Sequence, residues 1–429
     1  MTAMMHHSST QPVDVTAPST AATQQGSAST NSTCTAVDPP TPPPATFLPC
    51  RRIHQVEIYN PTTGQTELGN DVIVLQQSLP PVQIGDGDDI FATLSAAESD
   101  HADSSKLPKT TSAGDVRTGE RAYWLRRTLR EGKFGRIRYA IALRRRTSGS
   151  SASTAEWELT DIKVAVKKYT LERLAELRGK IADDPIKGIA ARQYMACRNA
   201  PPDEPFEARA QRAVNRLVES HVVTPIDVWV DQLHIYQVMP YCGAELFEVL
   251  DMNEHRFTEA DARHWMGHIL KALDFLHNTA GICHRDLRPE NLLLHEESKA
   301  LVLIDFGVCL LMPPSKDRLI KPQGPCGTLP FVAPEIANHE AFDGRAVDLW
   351  QAAAILFVMV TGVPPWDRPD SKDVRFNLIT GGHMEQMLRR NNLGLSPEVM
   401  DLLQSMLRLD PTQRLTLEQV RDHPWMTQT

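Results

Sequence analysis

The sequence contains no C-x-x-C pair; its seven cysteines (34, 50, 197, 242, 283, 309 and 326) are odd in number and scattered. That excludes a disulfide-stapled secreted scaffold, and a reduced intracellular setting is expected, cytoplasmic or nuclear. No apolar run is long enough to cross a bilayer. The longest, "LWQAAAILFVMV" from Leu349 to Val360, reads as a buried core helix. The opening "MTAMMHHSSTQPV" lacks the basic flank and apolar core of a secretory signal. A basic excess is missing too. Residues 1–120 hold 13 acidic and 5 basic side chains, which accounts for the whole net charge of −8 and leaves the remainder neutral. Neither nucleic acid nor membrane is therefore expected as the main partner, and a monomer is expected.

Large apolar residues are scarce in residues 1–46, where Ser, Thr, Pro, Ala and Gln dominate and prolines cluster at 39, 40 and 42–44. Such a stretch cannot bury enough surface to offset its ordering entropy, so residues 1–119 read as a mostly disordered, acidic region. Within it, 50–76 has a weak strand-like pattern around a turn at Pro61 to Gly64. A docked hairpin and no structure at all are both open there. One folded domain, 120–429, is the simplest division. Its first part, 120–241, is rich in strand patterns: "LREGKFGRIRYAIAL", "WELTDIKVAVKKY", "VVTPIDVWV" and "LHIYQVMPYC". Asp184-Pro185 looks like a helix start, and a second helix runs through "FEARAQRAVNRLVES". From 242 to 429 helices prevail; Thr258 and Asp261 suggest a capping box before Ala262, Trp265, Met266, Ile269 and Leu273 at helical spacing. Strand-rich and helix-rich halves in sequence predict an α+β, two-lobed layout with a cleft where the halves meet.

Four segments in order carry the chemistry: "GKFGRI" after a strand, "VAVK" ending at Lys167, "HRDLRPEN" from His284 to Asn291, and "DFG" from Asp305 to Gly307. Together they resemble the motif set of eukaryotic protein kinases, over about Trp124 to Trp425. "APE" at Ala333 to Glu335, Arg414 as its partner, Thr328 in "CGTLPFVAPE" and Asp348 as an anchor of the catalytic loop extend the likeness. The resemblance implies a protein kinase fold of Ser/Thr type. The stretch "GTLPFVAPEI…TGVPPWD…LTLEQVRDHPWM" is most similar to the calcium/calmodulin-dependent kinase group.

Phosphoryl transfer needs its phosphates held, their charge neutralised and the attacking hydroxyl aligned. The resemblance therefore implies ATP and Mg²⁺ as cofactors. Asp305 and the amide oxygen of Asn291 would hold the metal, since hard cations take oxygen ligands. Asp286 would orient or accept the proton of a protein Ser/Thr hydroxyl, and Lys167 and Arg288 would place positive charge at the phosphates. Gly132, Phe134, Gly135, Ile137, Ala165, Lys167, Met239, Tyr241, Cys242 and Glu245 would receive the nucleotide, Met239 as gatekeeper and Tyr241 and Cys242 in the hinge. Glu245 and Glu290 match positions that often read basic residues upstream of the acceptor; each is equally an ordinary surface charge.

The pattern also breaks. Arg288 stands where a lysine is usual, and a planar fork is not a compact ammonium. Arg130 replaces the first glycine of the loop, and Ala353 a glycine in the long apolar helix. No glutamate occupies the helix position that should pair with Lys167. One count lands near Gly188, the preferred count on Ala210, with Glu207 almost on the same face; otherwise Lys167 leans on Asp305. An active Ser/Thr kinase is the main expectation, and a pseudokinase acting as a nucleotide-binding or scaffolding module is the alternative. Between Phe306 and Cys326 only Ser315 offers a hydroxyl, so weak dependence on activation-loop phosphorylation is expected.

Overall fold

The computed structural model describes residues 35–41, 44–76, 81–84, 121–132, 135–146, 155–177, 206–252, 255–315, 318–324, 326–390 and 393–428. The expected helix at Asp184-Pro185, Phe134 of the glycine-rich loop, and the low-complexity stretch before residue 35 lie outside them.

Among the described residues the chain as far as Pro240 forms nine strands, β1 (Ala36–Val37), which lies outside the main sheet, then β2 (Ala45–Asn60), β3 (Gln65–Leu75), β4 (Val82–Ile84), β5 (Arg121–Gly132), β6 (Gly135–Arg145), β7 (Trp157–Thr170), β8 (Asp227–Val230) and β9 (His234–Pro240). Strands β5, β6, β7, β9 and β8 form an antiparallel series. The hairpin β2–β3 extends this series rather than lying apart from it. β3 pairs antiparallel with β5, Ile73 opposite Tyr123, while the start of β2 pairs parallel with β8, Leu48 opposite Trp229. β2 is thus bonded to β3 on one flank and β8 on the other, and the sheet closes on itself. Among the described strands, closure leaves only the short β4, bonded to β2 alone, at an edge. The expected boundary at residue 120 is corrected accordingly: the hairpin begins at Ala45 and belongs to the small lobe. Its alternation was weak in the sequence because a long, strongly bent strand changes partners midway, pairing with β8 at 48–49 and β3 from Cys50 onward.

Cys50, Ile73, Tyr123, Val164, Trp229 and Tyr236 fill one core of this lobe. The helix Phe206–Ser220 packs on it through Ala210 and Ala213, both buried. Small side chains on that face let the helix approach the sheet closely. The polar anchor is Asp227 on β8, fully buried, which accepts from Arg121 Nη2 (2.7 Å), Tyr123 Oη (2.7 Å) and, from the helix, Arg209 Nη1 (3.1 Å).

The large lobe is built on the helices Glu259–Asp274 and Gly344–Thr361. The second carries the longest apolar run and is buried along nearly all its length, Ala353 included. It starts at Asp343, whose side chain accepts from Arg345 N, and ends at Gly362 with φ of 80°. At the first helix Thr258 accepts from Asp261 N as expected, but its own hydroxyl donates to the Asp261 carboxylate, so the reciprocal bond of a full capping box is not the one formed. Short strands β10 (Ile282–Cys283), β11 (Leu292–Leu294), β12 (Leu301–Leu303), β13 (Leu310–Leu311) and β14 (Leu319–Ile320) frame the loops facing the small lobe. Arg414 closes the lobe on Glu335 by a bidentate pair of 2.7 and 2.8 Å, almost wholly buried. All five cysteines among the described residues are free and buried.

Removing one member of a buried ionic group strands the others. Asp227→Ala should lower the unfolding free energy by about 3 kcal/mol or more in chemical denaturation, because two guanidinium groups lose their carboxylate.

Candidate active site

The lobes join through the chain from Pro240 to Glu245. Its backbone is pinned on both sides: Tyr241 N–H donates to Lys163 O (3.3 Å), Gly243 N–H to Leu294 O (2.8 Å), and Leu294 N–H returns to Ala244 O (2.8 Å). Beneath this hinge lies a cavity of about 400 Å³, the size of a small-molecule site. Ile137, Ala165, Lys167, Met239, Tyr241, Cys242, Glu245 and Asp305, all singled out in the sequence, line it. The sequence reading missed the apolar floor and roof: Leu129, Val223, Leu293 and Ile304. Leu129 and Leu293 are strand residues and Val223 and Ile304 lie outside the strands, and nothing in their local pattern distinguishes a cleft wall from a core position.

Gly132 and Gly135 face each other across the β5–β6 turn and are not among the cavity's lining residues. Gly135 is required there for a different reason. A Cβ at this residue would sit 1.9 Å from Lys168 O on β7, so the close approach is to the protein's own backbone. Arg130, at the missing first glycine, reaches across the mouth of the cleft: its Nη1 lies 3.5 Å from Glu245 Oε1 and 3.4 Å from Glu290 O.

Of the helix positions expected to meet Lys167, Gly188 lies outside the described residues. Ala210 points into the sheet and Glu207 is exposed. The ammonium instead donates to Asp305 Oδ1 at 2.6 Å, and the helix is fastened by the Arg209–Asp227 pair. Asp305 has φ of 59°, a left-handed conformation that a non-glycine residue holds only when its surroundings over-determine it. Here Phe306 is fully buried edge-on against His284, ring centroids 4.9 Å apart.

The catalytic-loop geometry hangs on Asp348 from the long buried helix. Its carboxylate accepts from His284 N (2.9 Å), Arg285 N (2.8 Å) and His277 Nε2 (2.8 Å). Gln351, one turn on, accepts from Leu287 N and donates to Arg285 O. These bonds hold Arg285 at φ of 69° and aim the next residue, Asp286, toward Asp305. His284 serves as a spacer: Nε2–H donates to Ile304 O (2.9 Å) and Nδ1 accepts from Asp286 N–H (3.3 Å), which fits one neutral tautomer. Arg288 bridges the Asp286 carboxylate (3.8 Å) and Thr328, whose hydroxyl accepts from Nη1 at 2.8 Å.

Asn291 donates both to Asp286 O (2.8 Å) and to Asp286 Oδ2 (3.1 Å). That fixes which way its amide faces. The amide oxygen is then buried with no hydrogen-bond partner among the described residues, an arrangement that is costly unless a cation completes it. The described residues contain no cluster of three or more His, Cys, Asp or Glu able to hold a metal. One carboxylate and one amide is what a magnesium ion shared with phosphate oxygens needs, because Mg²⁺ is seldom held by an all-protein cage.

Withdrawal from water pushes the Asp286 carboxyl up to about 7; Arg288 opposes the rise, Asp305 adds to it, and the Asn291 hydrogen bond opposes it. The carboxylic acid form therefore dominates below that pH and the ionised form above it.

The sequence model described as a protein kinase domain matches residues 190–426, more than half of the chain. The chain belongs to the protein kinase family. The match does not reach Gly132 or Lys167, expected to share the likeness; Lys167 enters the site through the β6–β7 register, opposite Ile137. Among relatives, the serine/threonine-protein kinase kin-29 of Caenorhabditis briggsae is 33% identical over 219 residues, 51% of this chain and 25% of that protein. The maternal embryonic leucine zipper kinase of Danio rerio is 34% identical over 223 residues, 50% and 30% of the two chains. The probable serine/threonine-protein kinase HSL1 of Saccharomyces cerevisiae is 29% identical over 238 residues, 55% and 15%. The chain thus spans under a third of each of these relatives.

Carbon NMR of the metal-free protein should show the Asp286 carboxyl half-protonated near pH 7, and Arg288→Ala should move its midpoint upward. A midpoint near 4, the usual range of a free aspartate, would contradict this account of the site.

Proposed function

We propose that the chain is an active protein serine/threonine kinase that transfers the γ-phosphoryl group of ATP to a protein hydroxyl with Mg²⁺. The observation that carries the reading is that Lys167 and Asp305, hydrogen-bonded to each other, line the hinge-bounded cavity, while Asp286, whose carboxyl feels the charge of Asp305, is bonded to Asn291, whose amide oxygen is buried with no hydrogen-bond partner among the described residues.

In the mechanism, the hinge backbone and the apolar walls seat the nucleotide base, while Met239 limits the depth of the pocket. Lys167, swung between Asp305 and the phosphates, supplies a point charge to the α- and β-phosphates. Asn291 Oδ1 and Asp305 would hold magnesium, which neutralises phosphate charge when bound. Asp286, ionised above about pH 7, accepts a hydrogen bond from the incoming hydroxyl and aligns it for attack. Arg288 lies beside it with Thr328 at its other end, so a cation stands where negative charge builds on the transferred group. No glutamate stands at the helix position the sequence singled out, and among the described contacts Asp305 takes the Lys167 ammonium. That costs alignment and lowers the rate; it does not remove a group that touches phosphate. This is why the transfer reading is favoured over a scaffold.

The substrate is taken to be a soluble protein in the cytoplasm or nucleus, met by a monomer; the neutral charge balance of residues 121–429 and the free, buried cysteines support that setting. A basic residue upstream of the acceptor fits Glu290, whose Oε2 is buried with no partner among the described residues. Glu245 is less able to serve, since Arg130 already sits against it.

With Mg-ATP and a generic peptide mixture the wild-type chain should incorporate phosphate on Ser or Thr, and Asp286→Asn should reduce the rate about a hundredfold or more while ATP affinity changes little. Equal rates for the two proteins would leave only the scaffold reading. In a positional peptide library, arginine or lysine should be favoured at one site N-terminal to the acceptor, and Glu290→Gln should cut that preference about three- to tenfold. A library without any basic preference would refute the role of Glu290.

A further inference from the structure

The first described strand lies far from the small-lobe sheet in partnership. β1 pairs parallel with β14 of the activation segment, Ala36 opposite Leu319 and Val37 opposite Ile320. Lys321 N–H donates to Val37 O at 2.9 Å, and Lys321 Nζ meets Asp38 Oδ2 at 2.7 Å. On its other flank β14 is bonded to Phe342: Ile320 N–H donates to Phe342 O (2.8 Å) and Phe342 N–H to Ile320 O (2.9 Å). Ile320 and Phe342 are both buried. The Arg285 guanidinium lies over the Phe342 ring, 5.5 Å from its centroid, and its Nη2 donates to Cys326 Sγ at 2.7 Å. Arg285 immediately precedes Asp286. An unbroken series of contacts therefore runs from Val37 through Ile320, Phe342 and Arg285 to the catalytic carboxylate.

The other end of the same segment is fixed just as firmly. Ala45, eight residues after Val37, opens β2; Ala45 and Phe47 are fully buried in a core with Tyr169, Leu171 and Val228. Eight residues reach about 28 Å at full extension. The segment is thus a short tether between the activation segment and the small lobe.

Kinase activation segments are commonly ordered by a phosphate that pairs with arginines. In this chain the segment from Phe306 to Cys326 has Ser315 as its one hydroxyl, and Arg285 is committed to Cys326 and Phe342. We propose that residues 36–38 are a built-in positioning element, in which strand addition to Leu319–Ile320 holds the activation segment in its productive arrangement in place of a phosphate. Val37 and Asp38 are then positioning residues: they touch neither nucleotide nor acceptor and act through Ile320 and Lys321. The inference rests on the transferase reading above.

The test uses the full chain. Val37→Pro removes a ladder donor and disfavours the pairing. It should release the Lys321 amide in hydrogen exchange and lower kcat for peptide phosphorylation about tenfold or more, with KM for ATP and the thermal midpoint nearly unchanged. Asp38→Lys should give a smaller loss, about two- to threefold, that the double variant Asp38→Lys/Lys321→Asp restores. A Val37→Pro protein with a freed Lys321 amide and wild-type kcat would overturn the proposal, as would one whose Lys321 amide stays protected, since the strand would then not be holding it. Loss of ATP binding in step with kcat would also overturn it, by showing general damage. A wild-type chain that transfers no phosphate would instead refute the transferase reading, and the hydrogen-exchange result would still report on the strand by itself.

Discussion

One carboxylate with no water around it organises the site. Asp348 is fully buried in the apolar helix of the large lobe, where an isolated charge would be prohibitively costly. Three N–H groups directed at it make the position tolerable, and two of these belong to the backbone of consecutive residues in the catalytic loop. The loop cannot satisfy Asp348 without bending Arg285 into a left-handed conformation, and that bend aims Asp286. The buried helix therefore dictates the shape of a loop that has almost no regular structure of its own. Fully satisfied networks of this kind rigidify; partly satisfied ones are expensive.

The small lobe meets a different constraint. Two groups of charges among the described residues set the positions of its lysine and its helix. Asp305 takes the ammonium directly, while Asp227, Arg121 and Arg209 bind the helix to the sheet. The helix thus has an ion pair to the sheet that does not involve Lys167.

Closure of that sheet depends on the hairpin β2–β3 and on the chain that precedes it. A long strand that begins beside β8, ends beside β3 and β7, and is preceded by a strand on the activation segment links parts of the molecule that are hundreds of residues apart in sequence. Each link is made of backbone hydrogen bonds, which carry no side-chain pattern. Residues 36–38 and 45–75 are in this respect a structural part of the domain and not an appendage to it.

Much of the site was legible from residue identity alone. Lys167, Asp286, Asn291, Asp305, Glu335, Arg414 and Asp348 carry chemistry that few other residues can supply, and their order along the chain limits what they can be doing. The lobes were legible as well, because period-two and period-3.6 patterns report which face of a strand or helix is buried. Three things were decided only by the tertiary structure. The partner of Lys167 had to be found in space, since the sequence left Glu207 and Asp305 both open. The apolar walls of the cleft look like any strand interior until the lobes are apposed. The role of β1 escaped, and a docked hairpin stayed one of two open readings, because strand pairing is written in backbone groups common to every residue, and register over such distances is set by the packing of the whole. Side-chain chemistry is local information and survives in the sequence; pairing and apposition are properties of the folded chain.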